Sequence, residues 1–141
     1  VRPRHSPYRR RRELRRDARE QEVAEVVSQW ENLVVDADDP PRLARWWAQA
    51  LGYQIVHEAA DEVEIRQSPD QLPGVVFVPV PERKQLKNRL HIDLRAADQA
   101  AEVERLVDMG ARRVDIDQGD VSWIVLTDPE GNEFCVLSGR G

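Results

Sequence analysis

The chain carries one half-unit twice, and that repeat constrains its fold more than any other feature. The first copy opens with Asn32-Leu33-Val34-Val35-Asp36-Ala37-Asp38-Asp39, runs into a helix-like stretch over 41–51 and stops at Gly52. The second opens with His91-Ile92-Asp93-Leu94-Arg95-Ala96-Ala97-Asp98, runs into 99–109 and stops at Gly110. Asn32 to His91 and Asp39 to Asp98 are each offset by 59 residues, and Gly52 to Gly110 by 58. A spacing shared by strand, cap, helix and stop signal points to an internal duplication. Duplicated half-units tend to meet at a shared concave surface, so the functional question is what lines it.

Each copy reads as β-α-β-β-β. In the first, 33–35 is a short apolar strand. Asp39 is placed to cap a helix, with Pro40 and Pro41 in its first turn. Leu43, Trp46, Trp47, Ala50 and Leu51 form its apolar stripe, and Gly52 ends it. Strands are expected at 53–58, 62–67 and 75–78, and 79–88 reads as a linker. In the second copy, 90–95 alternates, with Leu90, Ile92 and Leu94 toward the core and His91, Asp93 and Arg95 on the other face. Asp98 caps a helix whose core face is Ala101, Val103, Leu106 and Val107. Strands follow at 114–116, 121–127 and 133–137, and 128–132 (Asp-Pro-Glu-Gly-Asn) is a turn. The expected fold is α+β, two βαβββ modules at 30–80 and 89–138 within a domain spanning 30–141. Residues 1–29 are expected to be a basic extension, partly helical. The apolar spacing of Val23, Val26, Val27 and Trp30 suggests a helix over about 10–29 that packs its C-terminal half.

Length and charge narrow the function classes. A chain of 141 residues suits one domain. Residues 1–19 hold nine Arg against Glu13 and Asp17, a balance of +7 within a net −5, so the rest carries −12. An acidic body disfavours nucleic acid, and Tyr8 is the arm's only aromatic, so no base-stacking platform is indicated. The arm reads as a solvated extension or as a surface for nucleic acid or an acidic partner. No apolar run reaches the roughly 18–20 residues of a membrane span. No apolar stretch follows the early arginines, as a secretory or twin-arginine signal would need. The single cysteine, Cys135, cannot form an internal disulfide. A reducing, cytoplasmic setting is expected.

Three segments carry a family resemblance: 33–47 (LVVDADDPPRLARWW), 87–94 (KNRLHIDL) and 123–137 (WIVLTDPEGNEFCVL). On these the chain resembles the vicinal oxygen chelate superfamily, in its glyoxalase-like and bleomycin-resistance-like branch, over about 30–138. The last segment is the most specific. The resemblance implies paired modules curled as an open mixed sheet around a cavity. In metal-dependent members a divalent ion on the cavity floor chelates two neighbouring substrate oxygens and stabilises an oxyanion. Carried over by position, the first-strand ligand falls on Asn32, the second-module histidine on His91 and the final-strand glutamate on Cys135. The extra first-module ligand falls near Phe77 or Val78, which cannot bind. A catalytic site needs about three good donors plus water, and hard ions need oxygen or imidazole. No metal or other cofactor is therefore expected.

The candidate ligand-binding residues are Asn32, His91, Asp93, Trp123, Glu133 and Cys135. His91 reads as a ligand-binding group or base oriented by Asp93, or as a family relic satisfied by neighbours. Cys135 reads as a nucleophile if His91 is within reach, or as a small buried hydrophobe. Glu133 reads as a cavity acid or a rim residue. Trp123 is the candidate for stacking on a ligand, against a place in the core. One or both of Trp46 and Trp47 are expected to seal helix against sheet, and His57 to be exposed near a hairpin. Asn88 and Arg89 read as a flap over a ligand or a solvated linker. Glu62, Glu64, Asp115 and Asp117 read as solvated strand faces. The expected function is a glyoxalase-like protein that binds a small organic molecule between its modules, without the superfamily's usual metal catalysis. Two alternatives stay open: a divalent-metal lyase, isomerase or dioxygenase using His91, and a partner-binding protein acting through the basic arm. One chain can build the cavity alone, although the resemblance admits a homodimer.

Overall fold

The structure is a computed structural model that describes residues 27–114 and 122–139. The chain divides after Glu31, and Asn32 onward forms a compact unit. The helix expected over about 10–29 lies outside the described residues except for 27–29, which are not helical. Asp115 and Asp117 also lie outside them.

The first module runs β1 (Asn32–Ala37), α1 (Pro40–Leu51), β2 (Gln54–Ala59), β3 (Glu62–Arg66) and β4 (Gly74–Pro79). The second runs β5 (Asp93–Arg95), α2 (Gln99–Asp108), β6 (Arg112–Arg113), β7 (Trp123–Thr127) and β8 (Glu133–Leu137). Each module folds into a mixed four-stranded sheet, ordered β1-β4-β3-β2 and β5-β8-β7-β6. The edge strands β1 and β5 pair parallel with β4 and β8, and the other pairings are antiparallel. The sheets do not close into a barrel, in keeping with the open mixed sheet that the resemblance implies. No helix among the described residues is long and apolar enough to cross a membrane.

Local chemistry sets the helix ends. The Asp39 carboxylate accepts the Arg42 N–H at 3.2 Å, and the two prolines occupy first-turn positions that need no donor. Gly52 ends α1 at φ 67°, a left-handed conformation glycine adopts without Cβ strain. Asp98 caps α2 through the Ala101 N–H at 3.1 Å. Leu43, Ala44, Trp46, Trp47, Ala48 and Ala50 bury one face of α1.

One core joins both modules. Phe77 of β4 and Phe134 of β8 are fully buried within it. Trp46 and Trp47 both meet the Phe134 ring edge-on, with centroids 5.9 and 5.0 Å away. Their polar tips are also spent across the join. Trp46 Nε1 donates to Met109 O, and Trp47 Nε1 donates to the buried Asp128 carboxylate. The tryptophans thus seal the helix as expected, but onto the other module's strand as well as their own sheet.

Several boundaries differ from expectation. The strand expected over 90–95 shortens to 93–95, because its pairing with β8 starts where Cys135 N donates to Ile92 O. Leu90 lies beyond that pairing, 81% exposed rather than in the core. On α2 only Val103 and Leu106 are buried. Ala101 and Val107 flank that stripe and are exposed, because the helix rests on a narrow strip. Of the short strand expected at 114–116, residues 115 and 116 lie outside the described residues; the pairing with β7 is already present at 112–113 and continues to Val114, whose N donates to Val125 O.

Candidate functional site

Both helices pack on one face of their sheets, and alternation sends every second side chain to the other. Val75, Phe77, Ile124, Leu126, Phe134 and Val136 belong to or pack on the helix-side core. Between them lie Val76, Val125 and Cys135, which are buried but stand apart from that core. They therefore lie on the helix-free faces. Val34, beside Val76, and Trp123, two residues before Val125, share these faces and are partly exposed. Each module thus contributes an apolar patch outside the core.

The chemistry gathers in the second module. Asp93 and Cys135 are direct partners in the parallel β5·β8 pair, so their side chains leave the same face. His91, two residues earlier, follows them. One donor atom from each of the three falls within a 4.8 Å span. His91 Nε2 lies 3.2 Å from Asp93 Oδ1. Both side chains are about half exposed, whereas Cys135 is buried. Burial raises the Cys135 pKa, and the Asp93 charge and hydrogen bond raise it further. The sulfur is held as a thiol, which argues against its use as a nucleophile.

The other candidates stand apart from this trio. Glu133 is turned to the inter-module segment, where its carboxylate accepts from Lys84 Nζ at 2.8 Å and Asn88 N at 3.1 Å. Burial raises its pKa, but the Lys84 hydrogen bond, backbone donors and the Lys84 charge outweigh that and hold it below the usual range. Asn88 is thereby tied down, while Arg89 is exposed. Asn32 stands in the first sheet, opposite Gly74. Trp123 is 39% exposed rather than in the core. His57 is exposed, 3.8 Å from Glu62.

Glu64 corrects the solvated-face reading. Its neighbours Val63 and Ile65 are fully buried in the core, so Glu64 points to the helix-free face, where it pairs with Arg66 at 2.8 Å. Both side chains are largely buried. A Cβ on Gly74 would stand 2.6 Å from Glu64 Oε1. This glycine therefore makes room for the pair. The Glu-Val-Glu-Ile-Arg alternation was visible in the sequence, but the missing side chain across the sheet was not.

The trio is close enough to hold a metal ion, but its donor set suits a borderline ion such as zinc better than a hard one. It offers one imidazole, one carboxylate and one thiol, all from the second module. In the first module the positions carried over hold the Asn32 amide and the donorless Phe77 and Val78, and the one carboxylate on those two strands is the exposed Asp36. Hard ions require oxygen-rich or imidazole-rich shells, and a thiol ligates only after losing its proton.

Residues 32–137 match the family model described as a glyoxalase-like domain. No curated protein matches the chain. Among solved structures, the chain is similar to a glyoxalase/bleomycin resistance protein/dioxygenase family enzyme from Burkholderia phytofirmans PsJN. That match has 14% identity and a TM-score of 0.62, covering 80% of this chain and 100% of the other. The fosfomycin resistance protein FosX from Mesorhizobium loti aligns at 15% identity and TM-score 0.61, over 82% and 95% of the two chains. The trypanothione-dependent glyoxalase I of Leishmania major aligns at 12% and 0.59, over 79% and 87%. At such identities the likeness is one of fold.

Proposed function

Because the chain belongs to the glyoxalase-like domain family of the vicinal oxygen chelate superfamily, we propose that it binds a small organic molecule on the helix-free faces of its two sheets. The reading rests on one observation. Three polar groups, His91, Asp93 and Cys135, converge within 4.8 Å on a face that also carries apolar Val125 and Trp123. A few convergent polar groups set in apolar surroundings are what a ligand site requires. His91 Nε2 lies beside Asp93, and on this reading Nδ1 meets the ligand. The buried Cys135 thiol stands beside Asp93 across the β5·β8 pair. The Trp123 indole supplies a flat apolar wall. Recognition on this reading proceeds without a chelated hard metal ion.

A small-molecule library screened by thermal shift in chelator-containing buffer tests this. A hit should bind with the chelator present and lose about tenfold in affinity in His91→Ala, the loss of one hydrogen bond to an imidazole. Trp123→Ala should weaken it similarly. Hits that require added Mn²⁺ or Zn²⁺, or that bind His91→Ala and Trp123→Ala as tightly as wild type, overturn the reading.

A further inference from the structure

A second candidate site shares no residue with the trio. At the N-terminal end of α1, a cleft of about 490 Å³ is lined by Arg42, Arg83 and Arg112. These arginines come from α1, the inter-module segment and β6. None of the three guanidinium groups has an ion pair or hydrogen-bond acceptor among the described residues; the bond made by Arg42 uses its backbone N–H.

The acids of the same wall are mostly committed. Asp39 caps α1. The Glu130 carboxylate accepts the backbone N–H groups of Asp38 and Asp39. Asp128 accepts from Trp47, from Glu130 N and from both the backbone and side chain of Asn132. The remaining base, Lys84, is bound to Glu133. The lining thus carries four carboxylates against four bases, but the hydrogen-bond donors left unused among them are those of the three guanidinium groups, and Asp38 is the one carboxylate that accepts from no donor among the described residues. Guanidinium forks match the paired oxygens of phosphate and carboxylate.

We propose that this cleft binds a small multiply charged oxyanion, a phosphate-bearing or polycarboxylate molecule, through Arg42, Arg83 and Arg112. The site needs both modules and is independent of the ligand reading for the helix-free faces.

Calorimetric titration of the full chain with pyrophosphate, and separately with citrate, at low ionic strength tests this, because salt screens such contacts. Saturable binding of at least one anion is expected, and the stronger arm identifies phosphate or carboxylate as the favoured group. Arg83→Gln and Arg112→Gln should each weaken it by about tenfold or more, the loss of one charge-assisted contact. Arg113→Gln, next on β6 but outside the cleft wall, should leave affinity unchanged. In the wild type, the Thr127 and Gly131 amide resonances should move on titration. Non-saturable heats, affinities unaltered in Arg83→Gln, an equal loss in Arg113→Gln, or resonance shifts confined to the Arg-rich residues 1–19 overturn the proposal.

Discussion

Asp128→Asn tests how the two modules are joined. The side chain is 2% exposed, and each of its oxygens has two donors. Oδ1 accepts Glu130 N at 2.9 Å and Asn132 N at 3.0 Å. Oδ2 accepts Trp47 Nε1 at 3.0 Å and Asn132 Nδ2 at 2.9 Å. Asparagine keeps the shape but replaces one acceptor oxygen by an NH₂ donor. The backbone donors cannot turn, so the NH₂ takes the Oδ2 place. There Asn132 can flip its amide and accept, but the Trp47 indole N–H cannot. It is left buried and facing a donor, at about 1–3 kcal/mol. Loss of the charge weakens the surviving bonds by roughly 1 kcal/mol more. The expected total is about 2–4 kcal/mol, or a fall in Tm of about 10–20 °C. Urea unfolding followed by far-UV circular dichroism measures it. Trp47→Phe removes the orphaned donor, so Asp128→Asn should cost at least about 1 kcal/mol less in that background. A loss below about 0.5 kcal/mol, the range of an ordinary surface change, or strict additivity with Trp47→Phe would mean that Asp128 does not join the modules through Trp47.

Glu133 is expected to shape acid stability. Its folded pKa lies below the usual value, so its contribution is fully present above the unfolded pKa of about 4.3 and fades as pH falls through the folded one. Glu133→Gln or Lys84→Met should therefore flatten the pH dependence of unfolding free energy below about pH 4.3, and an unchanged slope in both variants counts against the pair. Cys135 should react with iodoacetamide at about pH 8 at least tenfold more slowly in the folded than in the urea-unfolded chain, since burial and Asp93 disfavour its thiolate. Asp93→Asn should speed the folded-state reaction; equal rates in the two proteins would remove Asp93 from the account.

Features written into one stretch of chain were legible before the fold was known. Asp39 and Asp98 announce helix starts through their position, and Trp46 and Trp47 announce a buried stripe through helical spacing. The face shared by His91 and Asp93 followed from period-two alternation. Features that depend on register were not legible. That Asp93 stands beside Cys135 depends on how β5 slides against β8. That Glu64 is sheltered depends on a glycine ten residues away lying across the sheet. Glu133 shares its strand with Cys135, yet Lys84 and the Asn88 backbone draw it elsewhere. Arg42, Arg83 and Arg112 lie far apart in sequence, and nothing local marks them as neighbours.

The join between modules also has a consequence during synthesis. Trp46 and Trp47 leave the ribosome long before Phe134 and Asp128, the partners that cover their rings and take up the Trp47 N–H. At about 5–20 residues per second, the stretch from 88 to 134 takes roughly 2–9 s to appear. Through that interval the nascent first module holds two large indoles without their cross-module cover, and neither N–H meets its native acceptor until Met109 and then Asp128 are made. The late strand β8 is the piece that ends this exposure, so a chain stalled before residue 128 is the form most in need of a chaperone.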